Sequence, residues 1–346
     1  MVTAILTELE LRRDYLNNAE ISSVYFGGGT PSLLDTKDLE RIFETIHRLY
    51  QVDAAAEITL EANPDDLSAE KLRDLRQYTP VNRLSIGIQS FSDADLRWMN
   101  RAHHAQHARQ CLDDAGHAGF HDLTIDLIYG APTTSDAQWQ ENLAIAFAYG
   151  IPHLSCYCLT VEEGTALGTF VRRGQQPPVE EEKAARQLEY LMQATEEQGF
   201  DHYEISNFAR PGHYARHNSS YWRGEHYLGA GPSAHSFDGV SRQWNIANNA
   251  LYIKDLNEQK VPSEREVLSP TQRFNEYIMT ALRTIWGVEP EKLEALGYGY
   301  TAYFEQAVQP YLAAGTVEQY GPVYRLTRAG KLLADRIAME LFLDKA

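Results

Sequence analysis

The chain has 346 residues, of which 43% are hydrophobic and 23% charged, a composition typical of folded globular proteins that excludes a disordered or fibrous chain. Its formal net charge of −17 excludes a surface built for nucleic acid or anionic lipid, since both partners require Lys and Arg side chains. Its three cysteines are too few and too unevenly spaced for a secreted disulfide framework, so we expect a reducing compartment.

The opening segment, residues 2–16, is amphipathic and charged and predicts a helix. It has neither the basic start nor the apolar run of a secretory signal peptide. No stretch of the sequence reaches the length of apolar residues that a bilayer-spanning helix needs. We therefore expect a cytoplasmic protein without a membrane span, whose contact with any membrane protein would be transient.

After this helix, short runs rich in β-branched and aromatic residues alternate with segments whose apolar residues recur at three- and four-residue spacing. The predicted strands cover residues 22–26, 57–62, 83–90, 123–130, 153–160 and 202–208. The predicted helices between them cover residues 35–50, 68–78, 104–119, 135–150 and 179–199. This βα alternation implies a parallel sheet with right-handed crossovers, and periodicity does not choose between an open sheet and a barrel.

Local capping signals support the predicted helices. Asp35, Ser68 and Ser135 are suitable N-caps, because their side-chain oxygens can accept from the free N–H groups of a first turn. Glycines suited to ending a helix are Gly116, Gly119 and Gly199.

From about residue 269 the pattern changes to helix, short helix, helix, hairpin and helix, which is a winged-helix outline. A DNA-binding role is disfavoured, because this segment has eight Lys and Arg residues against nine Asp and Glu residues and no basic stripe. We favour a structural or partner-docking role. The predicted domains are a core at 1–240, a linker at 241–268 and a winged-helix-like domain at 269–346.

Polar and glycine residues follow the first two predicted βα strands, at the edge of a parallel sheet where ligands collect. Gly27–Gly29 leave backbone groups uncovered for a ligand's amine or carboxylate, and Thr30 adds a hydroxyl. A tight strand-to-loop turn explains the glycines equally well. Glu61 can accept both hydroxyls of a ribose, or it is a carboxylate that stabilises its own loop.

The later strands supply further polar side chains at the same edge. Gln89 offers an amide, Arg101 a planar fork suited to a carboxylate, and Asp126 an acceptor. Thr160 ends the next predicted strand. Each of these residues, taken singly, also has a structural interpretation.

Several motifs together resemble one family. They are GGGTP, E-x-N-P, RLSIGIQSF, MNRAH and IDLIYGAP, followed by YEISNFARPG, RHNSSYW and YLGAGPSAHS. Their order and spacing resemble the HemN/HemW branch of the radical S-adenosylmethionine (SAM) superfamily over almost the whole chain. The last group is more similar to the HemW-type heme chaperones than to the coproporphyrinogen dehydrogenases.

The resemblance implies a fold and cofactors. The fold would be a partial parallel (β/α)6 TIM-like barrel that binds SAM and a 4Fe–4S cluster, with a helical, winged-helix-like C-terminal domain. The glycines and Thr30 would hold the methionine part of SAM and Glu61 its ribose, whereas Gln89, Arg101 and Asp126 would hold a second SAM or a neighbouring ligand. By motif match the SAM residues are Gly27, Gly28, Gly29, Thr30, Glu61, Gln89, Arg101, Asp126 and Thr160.

The resemblance also implies a heme site in the segment HNSSYW. A neutral imidazole at His217 is a good axial ligand for heme iron, and Tyr221 and Trp222 supply flat apolar surface for a porphyrin. The alternative is a histidine that hydrogen-bonds and orders a loop. Other histidines crowd the same region, so the ligand is not uniquely fixed: they are His202, His213, His226 and His235.

The implied function is a heme chaperone that binds heme and transfers it to acceptor proteins, without nucleic acid as a partner. The alternative is an enzyme of porphyrin biosynthesis, an oxygen-independent coproporphyrinogen III oxidase, whose chemistry needs a reduced cluster to cleave SAM. A third interpretation, a SAM- or nucleotide-binding regulator with a winged-helix output domain, is disfavoured by the acidic wing.

One departure from the family is pronounced. Members carry C-x-x-x-C-x-x-C on the loop after a first strand, and this sequence has no such motif. We expect the first strand and the cluster ligands to be missing, so that this chain neither assembles a cluster nor cleaves SAM. Cys156 and Cys158 are more readily small buried hydrophobes than metal ligands. An uncovered sheet edge at residues 22–26 predicts a homodimer, disorder near the first helix or reduced stability.

Overall fold

The computed structural model describes residues 1–162 and 164–343, which contain twelve strands and sixteen α-helices. The strands are β1 (Ile21–Phe26), β2 (Val52–Ala62), β3 (Arg83–Gln89), β4 (Asp122–Tyr129), β5 (His153–Cys158), β6 (Asp201–Glu204), β7 (Asn207–Ala209), β8 (His235–Phe237), β9 (Ser241–Asn245), β10 (Ser263–Val267), β11 (Val317–Tyr320) and β12 (Val323–Leu326).

The helices of the first part are α1 (Val2–Leu11), α2 (Thr36–Leu49), α3 (Ala69–Tyr78), α4 (Asp93–Trp98), α5 (Ala105–His117), α6 (Asp136–Ala148), α7 (Ala166–Arg172), α8 (Glu181–Glu197), α9 (Arg216–Arg223) and α10 (Asn249–Asn257). The later helices are α11 (Pro270–Leu282), α12 (Pro290–Leu296), α13 (Tyr300–Ala307), α14 (Gln309–Ala313), α15 (Arg328–Lys331) and α16 (Ala334–Glu340). Among the described residues, no helix has both the length and the apolar composition that crossing a membrane requires.

The predicted N-caps are confirmed. The side chains of Asp35, Ser68 and Ser135 each accept from a backbone N–H one turn into α2, α3 and α6. Gly119 and Gly199 follow the ends of α5 and α8 with φ of 87° and 76°, a conformation that glycine adopts without strain. Gly116 instead lies inside the last turn of α5.

The main sheet is curled into a half-barrel of seven strands in the order β1-β2-β3-β4-β5-β7-β6 within the described chain. Strands β1 to β5 are parallel, as the βα alternation predicted. The sixth predicted strand, residues 202–208, is a hairpin instead, and β7 pairs antiparallel with both β5 and β6. The Glu204 carboxylate holds this turn, because it accepts from Ser206 N at 2.9 Å and from Asn207 Nδ2 at 2.6 Å.

The two faces of this sheet have opposite chemistry. Ile58 and Leu60 of β2, with Ile125 of β4, point outward into a hydrophobic core shared with the surrounding helices. Burying each such side chain stabilises the fold by roughly 1.5–3 kcal/mol. The alternate positions, such as Glu61 and Asp126, point inward and line a polar lumen. The sheet is therefore held together from outside and open to polar ligands inside.

Residues 241–268, predicted as a linker, are themselves folded into β9, α10 and β10. The strands pair antiparallel in the order β10-β9-β8. Tyr252 and Leu256 of α10 pack on Ala4 of α1. The division of the chain into a core, a linker and a C-terminal domain stays a prediction.

A buried carboxylate ties α1 to this segment. Glu8 is fully buried and accepts from Arg12 at 3.1 Å, from Asn245 Nδ2 at 2.7 Å and from the Tyr252 hydroxyl at 2.5 Å. The backbone N–H of Gly231 donates to its second oxygen at 2.9 Å. All of its charge is thus compensated by specific partners, as a buried charge requires.

The last part of the chain has its own core, to which Phe274, Leu282, Phe304 and Ile337 contribute. The predicted order of helix, short helix, helix, hairpin and helix is observed, but the third helix is divided into α13 and α14 and the last into α15 and α16. Gly321 turns the hairpin with a φ of 60°.

Candidate functional site

Two neighbouring cavities lie on the inner side of the half-barrel, and they share the side chain of Glu61. The first, which we call the strand-end cavity, has a volume of about 170 Å³ and lies where β1 to β4 end. It is lined by Gly29, Thr30, Pro31, Glu61, Ala62, Asn63, Ser85, Gly87, Gln89, Arg101 and Asp126. Six residues predicted from the strand ends are thus brought together here.

The glycine loop after β1 packs directly on Glu61. A Cβ on Gly27 would lie 2.5 Å from the Tyr25 ring and 2.8 Å from the Glu61 carboxyl carbon. Gly28 has a φ of 76°, and its N–H donates to Glu61 Oε2 at 3.2 Å. Neither glycine lines the cavity, so their part is to let the loop approach Glu61, whereas Gly29 and Thr30 face the ligand space.

Gln89 and Arg101 are positioned by close packing over Gly87. Gln89 has a φ of 64°, which costs a residue with a side chain on the order of 1–3 kcal/mol. A Cβ on Gly87 would lie 2.9 Å from Gln89 Nε2 and 3.3 Å from Arg101. Arg101 also donates to Asn63 Oδ1 at 2.7 Å. The amide and the cationic fork are therefore fixed before any ligand arrives.

Asp126 faces the same cavity from β4. Burial, with a further contribution from the nearby Glu61 carboxylate, raises the pKa of Asp126 to about 7. A hydrogen bond from Ser155 and the charge of Arg101 oppose this rise. The carboxyl group therefore binds a proton more readily than an exposed aspartate does, and its protonated form can donate a hydrogen bond.

Thr160, the remaining residue predicted for this site, lies on the exposed loop after β5 and lines neither cavity. Its assignment to the SAM site stays a prediction without support from this geometry.

The second cavity, which we call the imidazole cavity, has a volume of about 440 Å³. Pockets of roughly 300–1,000 Å³ are typical of small-molecule sites. It is lined by Tyr25, Glu61, Tyr157, Glu204, Ser206, Asn207, His217, Asn218, Tyr221, Trp222 and Arg283. The three residues predicted from the HNSSYW segment all face it.

Helix α9 carries His217 and is anchored to the sheet at its N-terminus. The backbone N–H groups of Arg216 and His217 donate to the two carboxylate oxygens of Glu57 at 2.8 and 2.9 Å. These are free donors of the first turn, and a negative charge at this end also favours the helix dipole. The position of His217 is therefore set by β2.

The imidazole of His217 is held on three sides. Its Nδ1 lies 2.9 Å from Ser23 Oγ and its Nε2 lies 3.0 Å from the Tyr221 hydroxyl. Its ring stacks on Tyr25 with 4.7 Å between ring centroids. Burial lowers the pKa of His217 to about 4, so the ring is neutral at physiological pH, which is the form that binds metals.

The far wall of the imidazole cavity comes from the C-terminal part of the chain. Arg283 follows α11, lies over the Trp222 ring at 5.5 Å and forms an ion pair with Glu204 at 3.1 Å. Trp222 Nε1 is buried and has no hydrogen-bond partner among the described residues. An unpartnered buried donor at a cavity wall suggests that a ligand or water completes it.

The other histidines of this region are not brought to the cavity. His202 lies against Phe208 and its Nε2 is 3.0 Å from the Ile205 carbonyl oxygen, while His213, His226 and His235 lie outside the lining residues. Among the described histidines, His217 is the one that faces the imidazole cavity.

The cysteines are dispersed. Cys111 and Cys156 are buried in the core, and Cys158 is exposed on the same strand as Cys156. Burial raises the pKa of all three thiols, to about 12 for Cys111. The described residues contain no group of three or more metal-ligating side chains. These thiols do not fit a 4Fe–4S cluster, which needs thiolates gathered at one place.

Several residues that shape both cavities were not predicted. Ser23 and Tyr25 alternate along β1 on its inner face, so a two-residue periodicity carried a signal for them. Glu57 occupies the equivalent inner face of β2. For Arg283 the sequence carried no signal, because its place depends on how the C-terminal part packs on the barrel.

Comparison with known proteins gives consistent results. The Radical SAM superfamily matches residues 5–146. The heme chaperone HemW of Mycobacterium tuberculosis is 34% identical over 98% of this chain and 85% of that protein. HemW of Bacillus subtilis is 30% identical over 92% of this chain and 84% of that protein, and HemW of Escherichia coli is 31% identical over 99% and 89%.

Among solved structures, the coproporphyrinogen III oxidase HemN of Escherichia coli superposes with a TM-score of 0.83. The match covers 98% of this chain and 82% of that chain, at 22% sequence identity. At this level of identity the likeness concerns the fold, which it confirms as a half-barrel of the radical SAM type with a C-terminal helical region.

Proposed function

The chain belongs to the HemW heme chaperone family within the radical SAM superfamily, and from that premise we propose that it binds heme in the imidazole cavity and passes it to acceptor proteins. The observation that carries the proposal is His217, a neutral imidazole held between Ser23, Tyr25 and Tyr221 at the wall of a cavity. A neutral imidazole nitrogen is a common axial ligand of heme iron.

The hydrogen bonds of His217 favour Nε2 as the ligating atom. If Nδ1 carries the proton, it donates to Ser23 Oγ, and the lone pair of Nε2 accepts from the Tyr221 hydroxyl. A hydrogen bond donated by the other ring nitrogen, here Nδ1 to Ser23, orients metal-binding histidines and raises their basicity. Binding of iron at Nε2 would then replace the Tyr221 hydroxyl.

The cavity walls suit a flat, largely apolar ligand that carries carboxylates. Tyr25, Tyr157 and Trp222 offer aromatic surface. Arg283 supplies a planar cation that can pair with a carboxylate. The unpartnered Trp222 Nε1 offers a further donor.

The strand-end cavity fits part of SAM, the cofactor of the superfamily. Glu61 would take the ribose hydroxyls, and the backbone at Gly29 and Thr30 would hold the methionine part. Gln89, Arg101 and Asp126 would contact a second SAM or a neighbouring ligand. Together with a reduced 4Fe–4S cluster, SAM supplies a carbon radical in this superfamily, and the cysteines of this chain do not fit such a cluster.

The coproporphyrinogen III oxidase alternative rests on the shared fold, whereas the family and the imidazole cavity favour the chaperone. Three further parts of the proposal rest on the sequence. They are a cytoplasmic location, heme-acceptor proteins as partners and no role for nucleic acid.

Titration with hemin tests the proposal. The Soret band of the complex is expected to be lost or shifted in His217→Ala, because the ligating nitrogen is removed. Thr30→Ala, on the strand-end side, and His226→Ala, at an exposed histidine outside the cavity, are matched controls that should bind as the parent does.

Far-ultraviolet circular dichroism of each variant separates loss of the ligand from loss of the fold. If His217→Ala binds hemin with the spectrum and affinity of the parent, then His217 is not the ligand and the proposal loses its main support. Equal loss in all three variants would also count against a specific site.

A further inference from the structure

Tyr25 is the physical link between the two cavities. Its hydroxyl donates to Glu61 Oε1 at 2.6 Å, at the boundary with the strand-end cavity. Its ring stacks on the imidazole of His217 at 4.7 Å with an interplanar angle of 15°. Tyr25 and Glu61 both line the imidazole cavity, and Glu61 lines the strand-end cavity as well.

The orientation of Tyr25 depends on the Glu61 carboxylate. The absence of a side chain on Gly27 leaves the space that the ring fills, and a Cβ there would lie 2.5 Å from it. In this contact the Tyr25 hydroxyl is the donor and a carboxylate oxygen of Glu61 is the acceptor. The hydrogen bond to Glu61 is thus charge-assisted, and it fixes the plane on which His217 stacks.

We propose that Tyr25 is a positioning residue for His217 whose hydrogen bond to Glu61 is weakened when a ribose diol binds the same carboxylate, so that a nucleoside in the strand-end cavity weakens heme binding in the imidazole cavity. This inference rests on the proposed function. In this proposal Tyr25 makes the affinity for heme depend on whether the strand-end cavity is occupied.

The reason is competition for one carboxylate. Oε1 of Glu61 accepts from Tyr25, and Oε2 accepts from Gly28 N at 3.2 Å. A ribose presents two hydroxyl donors side by side, which pair best with both oxygens of a carboxylate at once. Each carboxylate oxygen can accept two hydrogen bonds, so the diol shares the Glu61 carboxylate with the Tyr25 hydroxyl and weakens the hydrogen bond that anchors the ring beside His217.

The expected effect of the nucleoside on hemin binding is part of the free energy of one hydrogen bond to a charged group, because that is the interaction which changes between the free and the nucleoside-bound protein. We expect a nucleoside to raise the Kd of hemin about tenfold, which corresponds to about 1.4 kcal/mol. Coupling between two binding sites is reciprocal, so hemin should raise the Kd of the nucleoside by the same factor.

S-adenosylhomocysteine is the probe, because its binding does not need a cluster. Hemin is titrated into the parent chain, followed by the Soret band, with and without saturating S-adenosylhomocysteine. The same titrations are made with Tyr25→Phe, which keeps the ring and removes the hydroxyl. Tyr157→Phe, at another tyrosine of the imidazole cavity, is the matched control.

The parent and Tyr157→Phe are expected to show the tenfold weakening, whereas Tyr25→Phe should bind hemin with less than about a twofold response to the probe. 2′,3′-Dideoxyadenosine, which lacks the diol, should leave the hemin affinity of the parent unchanged. The inference is overturned if the probe does not bind the parent, if it binds without changing the hemin Kd, or if Tyr25→Phe responds as the parent does. A parent that binds no hemin at all would refute the proposed function itself, which sets that failure apart.

Discussion

Replacing Asp126 by asparagine should stabilise the protein at alkaline pH. The pKa of Asp126 is raised from an ordinary 3.8 to about 7, chiefly by burial and then by Glu61. The folded state therefore binds this proton more tightly than the unfolded chain does. The favourable contribution of this proton to the free energy of unfolding is complete below about pH 4 and is lost as the pH rises through about 7.

The magnitude follows from the shift. About three pKa units at about 1.36 kcal/mol each set a ceiling of about 4 kcal/mol between pH 4 and pH 8. Water that reaches the strand-end cavity reduces this figure, so we expect about 2 kcal/mol between pH 5 and pH 8. A side-chain amide cannot ionise, so the Asp126→Asn variant should lack this loss and be the more stable protein at pH 8.

Urea unfolding at pH 5, 6, 7 and 8 measures the effect as the difference in free energy of unfolding between Asp126→Asn and the parent. Contributions from titrating groups that do not interact with Asp126 cancel in this difference. Asp14→Asn, at a side chain that is 85% exposed, is the control and should show no trend with pH. A difference for Asp126→Asn that stays constant from pH 5 to pH 8 would refute the assignment of a raised pKa.

Other expectations concern a buried anchor, a crowded glycine and the cysteines. Glu8→Ala leaves Arg12 buried without its carboxylate and should lower the free energy of unfolding, measured in urea, by about 3–5 kcal/mol. Glu10→Ala, at an exposed ion pair, is the control and should change the free energy of unfolding little. Equal effects of the two substitutions would contradict the role of Glu8 as a buried anchor. Gly27→Ala should weaken hemin binding and lower the free energy of unfolding by about 1–3 kcal/mol, because the added Cβ meets the Tyr25 ring. Gly29→Ala, whose added Cβ has open space around it, should bind hemin as the parent does. Anaerobic reconstitution of this chain with iron and sulfide should give no stoichiometric 4Fe–4S cluster and no 5′-deoxyadenosine from SAM, and near-stoichiometric iron would contradict this.

The sequence was sufficient to predict the strand-end cavity because of a topological rule. Parallel strands all end at the same edge, so Glu61, Gln89 and Asp126, each at or near the end of a strand, had to converge once βα alternation was recognised. Gly27 was predicted to leave backbone groups uncovered for a ligand or to form a tight turn, and its contact with Tyr25 was not predicted. It makes room for Tyr25, a contact that depends on the curl of the sheet and has no signature in the local sequence.

The parts that could not be predicted depend on long-range packing. The hairpin at residues 202–208 follows from the Glu204 carboxylate, whose partner Arg283 lies far away in the chain. Residues 241–268 have short elements of low apolar content, and their order comes from the buried Glu8 of α1. In both cases a buried charge is compensated by distant residues, which local periodicity does not report.

The walls of the imidazole cavity are drawn from the whole length of the chain, from Tyr25 in β1 to Arg283 after α11. A ribosome delivers the half-barrel strands first and Arg283 only much later. A nascent chain that has folded its parallel strands but not yet released α11 therefore has His217 in place and an open cavity without its cationic wall. Loading of a ligand that needs all of these walls is consequently an event that follows synthesis, and a chain cut short before residue 283 would expose the aromatic lining to solvent instead of enclosing it.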